Sequence, residues 1–68
     1  MNIKVIDSAG ESVHEVEEAH NGFKSTNFPP PMLGRKYFLG SREVDIKELG
    51  MKVEDNRAMY YYSYRIAG

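Results

Sequence analysis

Three consecutive prolines, Pro29–Pro31, stand near the middle of the chain. Each proline fixes φ and removes an amide donor, so neither a helix nor a central strand can continue through them. The sequence therefore predicts an extended loop over 23–34. Proline also lowers the conformational entropy of the unfolded chain, so less entropy is lost when the loop becomes ordered on folding. We therefore expect this loop to be ordered, with Phe28 and Leu33 as anchors. Four apolar side chains could hold it to the body: Phe23, Phe28, Met32 and Leu33.

The chain is short, which limits how it can be stabilised. A domain of 68 residues buries only about 60% of the surface that it exposes when unfolded. It contains no cysteine, which rules out disulfides and thiolate metal ligands. No apolar run approaches the roughly 20 residues of a membrane helix, and the first residues lack a signal-peptide pattern. We therefore expect one cytoplasmic domain over 1–68, with no membrane partner.

The first half of the chain predicts a strand and then an ambiguous segment. Apolar and polar residues alternate over 2–6, as in a half-buried strand. Ser12 and Glu15 fit a capping box, which favours a helix over 13–20. A hairpin is the rival interpretation, because Asn21-Gly22 is a strong two-residue turn signal. Both alternatives stay open at this point.

The second half also predicts strands, with one further helix. Residues 35–39 have a strand-like pattern, and Ser41 is a suitable N-cap for a helix over 42–49 that ends at Gly50. A strand remains possible there, because Val44 and Ile46 alternate with charged residues. Residues 59–66 are rich in tyrosine and follow a polar turn, which predicts a C-terminal hairpin. The predicted fold class is α+β: a small single domain with a short antiparallel sheet, this C-terminal β-hairpin and one or two short helices.

Charge is balanced over the chain but unevenly distributed. The formal net charge is −1. Residues 1–22 contain one lysine against five acids, whereas residues 23–68 contain eight basic residues against five acids. Such a distribution can attract the two parts of the fold to each other or steer a partner onto one face. The near-zero total argues against binding nucleic acid by bulk electrostatics.

No motif in the chain predicts catalysis. His14 and His20 lie close to several glutamates, but a spacing of six residues does not place two metal ligands on one face of a helix or strand. There is no glycine-rich phosphate loop, and a core this small leaves little room to desolvate a nucleophile. We therefore expect no enzyme activity, no cofactor and no metal site.

The tyrosine run gives the sharpest functional signal. On a strand, Tyr60, Tyr62 and Tyr64 point to one face, which we assign to the core. Tyrosine is enriched at core boundaries and at protein interfaces, and it can also stack on nucleic-acid bases. We assign partner binding to residues on the opposite face of the strand, Met59, Tyr61 and Arg65, and to Arg57, which precedes the tyrosine run.

One stretch, residues 28–49, resembles a known family. Phe28-Pro29-Pro30-Pro31, followed by Gly34-Arg35-Lys36-Tyr37-Phe38 and Ser41-Arg42-Glu43-Val44, is similar to the proline turn and wing of phage excisionases and MerR-like winged-helix proteins. The resemblance implies that Arg35, Lys36 and Arg42 contact DNA. In that family a basic recognition helix precedes the prolines, whereas here the corresponding segment, 13–18, is acidic and would be repelled by phosphates.

The sequence thus supports two functional hypotheses. The leading one is a small non-catalytic protein–protein interaction module, of a kind typical of phage or mobile-element genomes, that binds a host or partner protein or a second copy of itself. The alternative is an excisionase-like DNA-binding accessory protein that uses a basic wing at Arg35 and Lys36.

The balanced charge and the acidic segment generate a first prediction. We expect no specific duplex DNA binding in a shift assay at about 150 mM salt, because too few phosphates would be neutralised. Nanomolar, sequence-selective binding that weakens with Arg35→Ala or Lys36→Ala would contradict this expectation.

Overall fold

The computed structural model describes residues 1–68 and contains seven strands and no helix, so no helix is long and apolar enough to cross a membrane. All neighbouring strands are antiparallel, in the order β2-β1-β5-β6-β7-β4-β3. The strands are β1 (Asn2–Asp7), β2 (Gly10–Glu15), β3 (Glu17–Ala19), β4 (Gly22–Ser25), β5 (Lys36–Leu39), β6 (Arg42–Glu54) and β7 (Arg57–Ile66).

The sheet is rolled, because its two terminal strands are consecutive in the chain. β2 and β3 lie at opposite ends of the strand order, yet only Val16 separates them. Val16 N donates to the Met1 carbonyl oxygen at 2.8 Å, and the Met1 amino group donates to the Val16 carbonyl oxygen at 2.9 Å. A seven-stranded sheet whose ends meet in this way must curve around an interior.

The interior is filled by aliphatic and aromatic side chains from most of the strands. The Phe23 ring stacks on Tyr62 with 5.0 Å between centroids. Phe28, from the proline loop, meets Phe23 edge-on at 5.0 Å and Tyr62 at 5.3 Å. These rings form the aromatic centre of the core. The buried apolar residues are Ile3, Val5, Val16, Phe23, Phe28, Tyr37, Val44 and Tyr62.

The predicted strand at the N-terminus and the predicted C-terminal hairpin are both confirmed. β1 spans Asn2–Asp7, and β6 pairs with β7 across a two-residue turn. The turn residues Asp55 and Asn56 have positive φ angles of 51° and 64°. A two-residue hairpin turn of this kind requires positive φ at both positions, and Asp and Asn tolerate it.

The α+β fold class is wrong, because both predicted helices are strands. Residues 13–15 belong to β2 and residues 17–19 are β3, with Val16 between them. His20 and Asn21 form the turn into β4. Gly22 lies in β4, where a Cβ atom would collide with the Tyr62 carbonyl oxygen. The local helix signal is overridden because β2 pairs along its length with β1, β3 pairs with β4, and Val16 between them is buried.

The predicted helix over 42–49 is also wrong. This segment is the first part of β6; residues 42–44 pair with β5, and β6 pairs with β7 from Val44 onward. Ser41 is a turn residue beside Gly40, whose φ is 64°, and does not cap a helix. Gly50 lies inside β6, next to a bulge in the pairing with β7, and does not end an element. Pairing with β5 and then with β7 outweighs the capping signal in the sequence.

The proline loop, residues 26–35, connects β4 to β5 and is held at one apolar anchor. Phe28 is 4% exposed, so that anchor lies in the core, whereas Leu33 is fully exposed and the prediction that it anchors the loop is wrong. The Tyr37 hydroxyl donates to the carbonyl oxygens of Pro29 and Pro30 at 3.1 and 3.0 Å. Polar contacts to proline carbonyls therefore replace the second apolar anchor.

The two loop positions provide a matched test of this anchoring. Phe28→Ala should destabilise the protein by about 3–5 kcal/mol, since it opens a cavity among Phe23, Tyr37 and Tyr62. Leu33→Ala should change the free energy of unfolding by less than about 0.5 kcal/mol, because that side chain has no burial to lose. Urea denaturation of both variants measures the difference, and equal losses would mean that the loop is not anchored through Phe28.

Candidate protein interface

The β6–β7 hairpin extends beyond the body of the sheet. The two strands pair from Val44 and Ile66 to Glu54 and Arg57. β5 pairs only with residues 42–44 of β6, and β4 pairs only with residues 60–63 of β7. Residues 45–54 of β6 therefore pair with β7 alone. We call the outer part of this hairpin, residues 47–61, the arm.

This arrangement leaves a free strand edge along the arm, from Lys47 to Glu54. At a free edge, amide and carbonyl groups on one side of the strand have no partner within the sheet. Eight residues of extended chain span about 26 Å, which is enough to accept another strand. This free edge is longer than that of the terminal strand β2, which has six residues and pairs only with β1.

Exposed apolar side chains are concentrated on the same strand. Leu49 and Met51 are each 52% exposed, and Val53 is 71% exposed. The pairing register places Met51 beside Tyr60 and Val53 beside Ala58, on the face that continues from the core. A large apolar side chain exposed singly is ordinary, but here three lie within five residues along a free edge, and we call them the apolar strip. Met51 and Val53 share the inner face, whereas Leu49, at the bulge, lines a cavity with Lys52 and Tyr61 of the outer face.

The partner-binding residues predicted from the sequence form a row on the opposite, outer face of β7. Arg57, Met59 and Tyr61 pair with Glu54, Lys52 and Gly50 along the arm. Arg65 lies at the other end of the strand, where its Nε is 3.7 Å from Asp45 Oδ2. About 26 Å of strand separates Arg57 from Arg65. Three of the four predicted residues therefore share the arm, and Arg65 does not.

Tyr61 belongs to a polar network that holds the outer face of the arm. Its hydroxyl donates to one oxygen of Glu54, and Lys24 donates to the other at 3.2 Å. The Lys52 ammonium lies 5.2 Å from the centre of the Tyr61 ring. The hydrogen bond to Glu54 raises the pKa of Tyr61, and the same bond, with that from Lys24, lowers the pKa of the Glu54 carboxyl.

The inner face has a cleft where the arm meets the proline loop. Its volume is about 260 Å³, and its walls are aromatic rings, a proline, a threonine and one carboxylate: Thr26, Phe28, Pro30, Glu48, Tyr60 and Tyr62. Burial raises the pKa of the Tyr62 hydroxyl, and the nearby Glu48 carboxylate raises it further. Glu48 is exposed and has neither an ion pair nor a side-chain hydrogen bond in the protein.

The three residues assigned to DNA contact do not form one basic surface. Arg35 donates to the Pro30 carbonyl oxygen at 2.7 Å, and its Nε lies 3.5 Å from Asp7 Oδ2. Lys36 and Arg42 are exposed at opposite ends of the β5–β6 hairpin. The DNA-contact assignment and the family resemblance behind it stay predictions, but Arg35 already has two partners within the fold.

Sequence reasoning missed the free edge because it assigned the first part of β6 to a helix. The apolar alternation at Val44 and Ile46, resumed at Met51 and Val53, was the available signal. The bulge at Leu49 shifts this alternation by one residue and hides a strand of 13 residues.

The chain matches no protein-family model, no curated protein and no solved structure. We therefore infer its function from the geometry of the arm.

The Glu54 network predicts a pH-dependent contribution to stability. A carboxyl whose pKa is lowered by folding stabilises the native state above its unfolded pKa, and this stabilisation is lost as the pH falls through the folded pKa. Glu54→Gln should therefore melt below the wild type near pH 7, and the difference should shrink towards about pH 3. Thermal melts over this range measure it, with Glu15→Gln as the control. A difference that does not change with pH would contradict the network.

Proposed function

We propose that the protein is a small, non-catalytic, cytoplasmic protein-binding module whose interface is the arm. The observation that carries this proposal is the coincidence of a free strand edge with the apolar strip Leu49, Met51 and Val53. Strand addition joins such features, since main-chain hydrogen bonds supply affinity and alternate side chains supply specificity. The partner contributes an extended segment that lies along residues 47–54.

The outer face of the arm can extend the same interface. Arg57 is exposed, and Met59 and Tyr61 are half-buried, so all three offer surface to a partner that wraps around the edge. Tyr61 is fixed by Glu54 and flanked by Lys52, and a ring held in one orientation loses little entropy on binding. Tyrosine and arginine are also the residue types most enriched among interface hot spots.

The DNA-binding alternative has less support from the geometry. Arg35 is held by Pro30 and Asp7, which leaves Lys36 and Arg42 as the exposed cations of the β5–β6 hairpin. Two separated lysine or arginine contacts neutralise too little phosphate charge for tight binding. We therefore favour a protein as the partner.

Photo-crosslinking from the arm tests the proposal. Benzoylphenylalanine at Leu49, used in a lysate of the source cells, should give one discrete protein adduct. Unlabelled wild-type protein should compete for this adduct, whereas Met51→Lys/Val53→Lys should not, because charged lysines on an edge oppose strand addition. Both substituted side chains are exposed, so the variant should keep the wild-type melting temperature.

The matched control is Val13→Lys, which also places a charge at an exposed apolar position, 65% exposed, but on β2. It should compete as the wild type does. If the arm variant and the β2 variant compete equally well, the arm is not the interface.

A further inference from the structure

The cleft on the inner face of the arm has features that specify the chemistry of a ligand. Its walls are Phe28, Pro30, Tyr60 and Tyr62, with Thr26 at the margin, and Glu48 supplies the single charge. Phe28 and Tyr62 are buried in the core and fixed by ring contacts at 5.3 Å, so this side of the cleft is rigid. A rigid, largely apolar wall with one carboxylate is complementary to an alkyl chain that ends in a cation.

Glu48 is the one acid of β6 on the inner face, and it has no ion pair. Asp45 faces Arg65 at 3.7 Å, and Glu54 faces Lys24 at 3.2 Å. Glu43 lies opposite Phe38 at the far end of the β5–β6 hairpin. On the inner face Glu48 pairs across the strands with Tyr62. No basic side chain therefore forms an ion pair with this carboxylate, which lies beside aromatic rings.

The cleft adjoins the free edge. Glu48 is the residue common to both: it lies on the free edge Lys47–Glu54 and lines the cleft, whose other walls come from β7 and the proline loop. Alternate side chains of an added strand point to the inner face, at a spacing of about 7 Å. Glu48, Met51 and Val53 all lie on that inner face, so a side chain that points inwards beside Glu48 is the one placed to enter the cleft.

We propose that the cleft binds a lysine or arginine side chain of the partner's extended segment, with Glu48 as its counter-ion and Pro30, Tyr60 and Tyr62 around its alkyl stem. This inference rests on the proposed function, because it names the chemistry of the strand that the free edge accepts. The partner segment is a β-forming stretch in which apolar residues flank a single basic residue on one face.

Three designed heptapeptides test the inference. Each alternates valine and threonine, and the central residue is lysine, norleucine or glutamate. Titration of isotope-labelled protein, followed by amide chemical shifts, gives the affinity and the location of each peptide. We expect shifts over residues 47–54, and about tenfold tighter binding of the lysine peptide than of the norleucine peptide, which corresponds to about 1.4 kcal/mol. The glutamate peptide should bind more weakly than both.

Two variants distinguish binding of the lysine side chain in the cleft from long-range attraction of the peptide's positive charge to acidic residues elsewhere on the protein. Glu48→Gln should remove the preference for lysine over norleucine while leaving norleucine binding unchanged. Glu15→Gln removes one exposed carboxylate on β2 and should leave the preference intact. If both variants reduce the preference equally, the attraction is long-range and the cleft inference is overturned.

The remaining outcomes are distinguishable. Equal binding of lysine and norleucine peptides at residues 47–54 would overturn the cleft inference but support strand addition. The absence of binding by all three peptides would overturn both. A second copy of this chain could also occupy the free edge, and sedimentation of the protein alone measures whether it forms a dimer. A dimer in which the amides of residues 47–54 are protected from exchange would assign the edge to self-association and overturn the inference as well.

Discussion

Val16 joins the two ends of the sheet, and the rest of the fold depends on this closure. Its backbone exchanges two hydrogen bonds with Met1, and its side chain is 5% exposed. Because β2 and β3 are one bent run of chain, β1 and β4 must lie on either side of that bend. The rolled sheet then has an interior wide enough for the rings of Phe23, Phe28 and Tyr62. A flat sheet of this size would leave those rings half exposed.

The proline loop contributes to the same interior, although it contains no regular structure. Phe28 packs in the core against the rings of Phe23 and Tyr37. The Tyr37 hydroxyl donates hydrogen bonds to the carbonyl oxygens of Pro29 and Pro30. Prolines have no amide hydrogen to satisfy, so only their carbonyl oxygens need partners when the loop packs on the body. This explains how three prolines in succession can cross the end of a sheet in so small a protein.

The elements that could be predicted from the sequence are those whose signal is local. Strict alternation marked β1, and the polar turn at Asp55 and Asn56 marked the C-terminal hairpin. The helix predicted over 13–20 failed because Ser12 and Glu15 form a plausible cap in isolation. Only long-range pairing with β1 and β4 shows that Val16 is a bend in a strand. In the same way, the loop was recognisable, but the full exposure of Leu33 depends on where the loop crosses the body.

The candidate interface could be predicted only in part, for a related reason. The alternation within β7 correctly separated buried Tyr62 from the outer face that carries Met59 and Tyr61. The free edge of β6 is a property of strand lengths: β5 begins at Lys36, beside the Tyr37 that pairs with Val44, while β6 continues to Glu54. The bulge at Leu49 then changes which residues face inwards and brings Met51 onto the face of Glu48. The alternation at Val44, Ile46, Met51 and Val53 could have indicated one long strand, but the free edge depends on where β5 lies beside it, which only the assembled sheet shows.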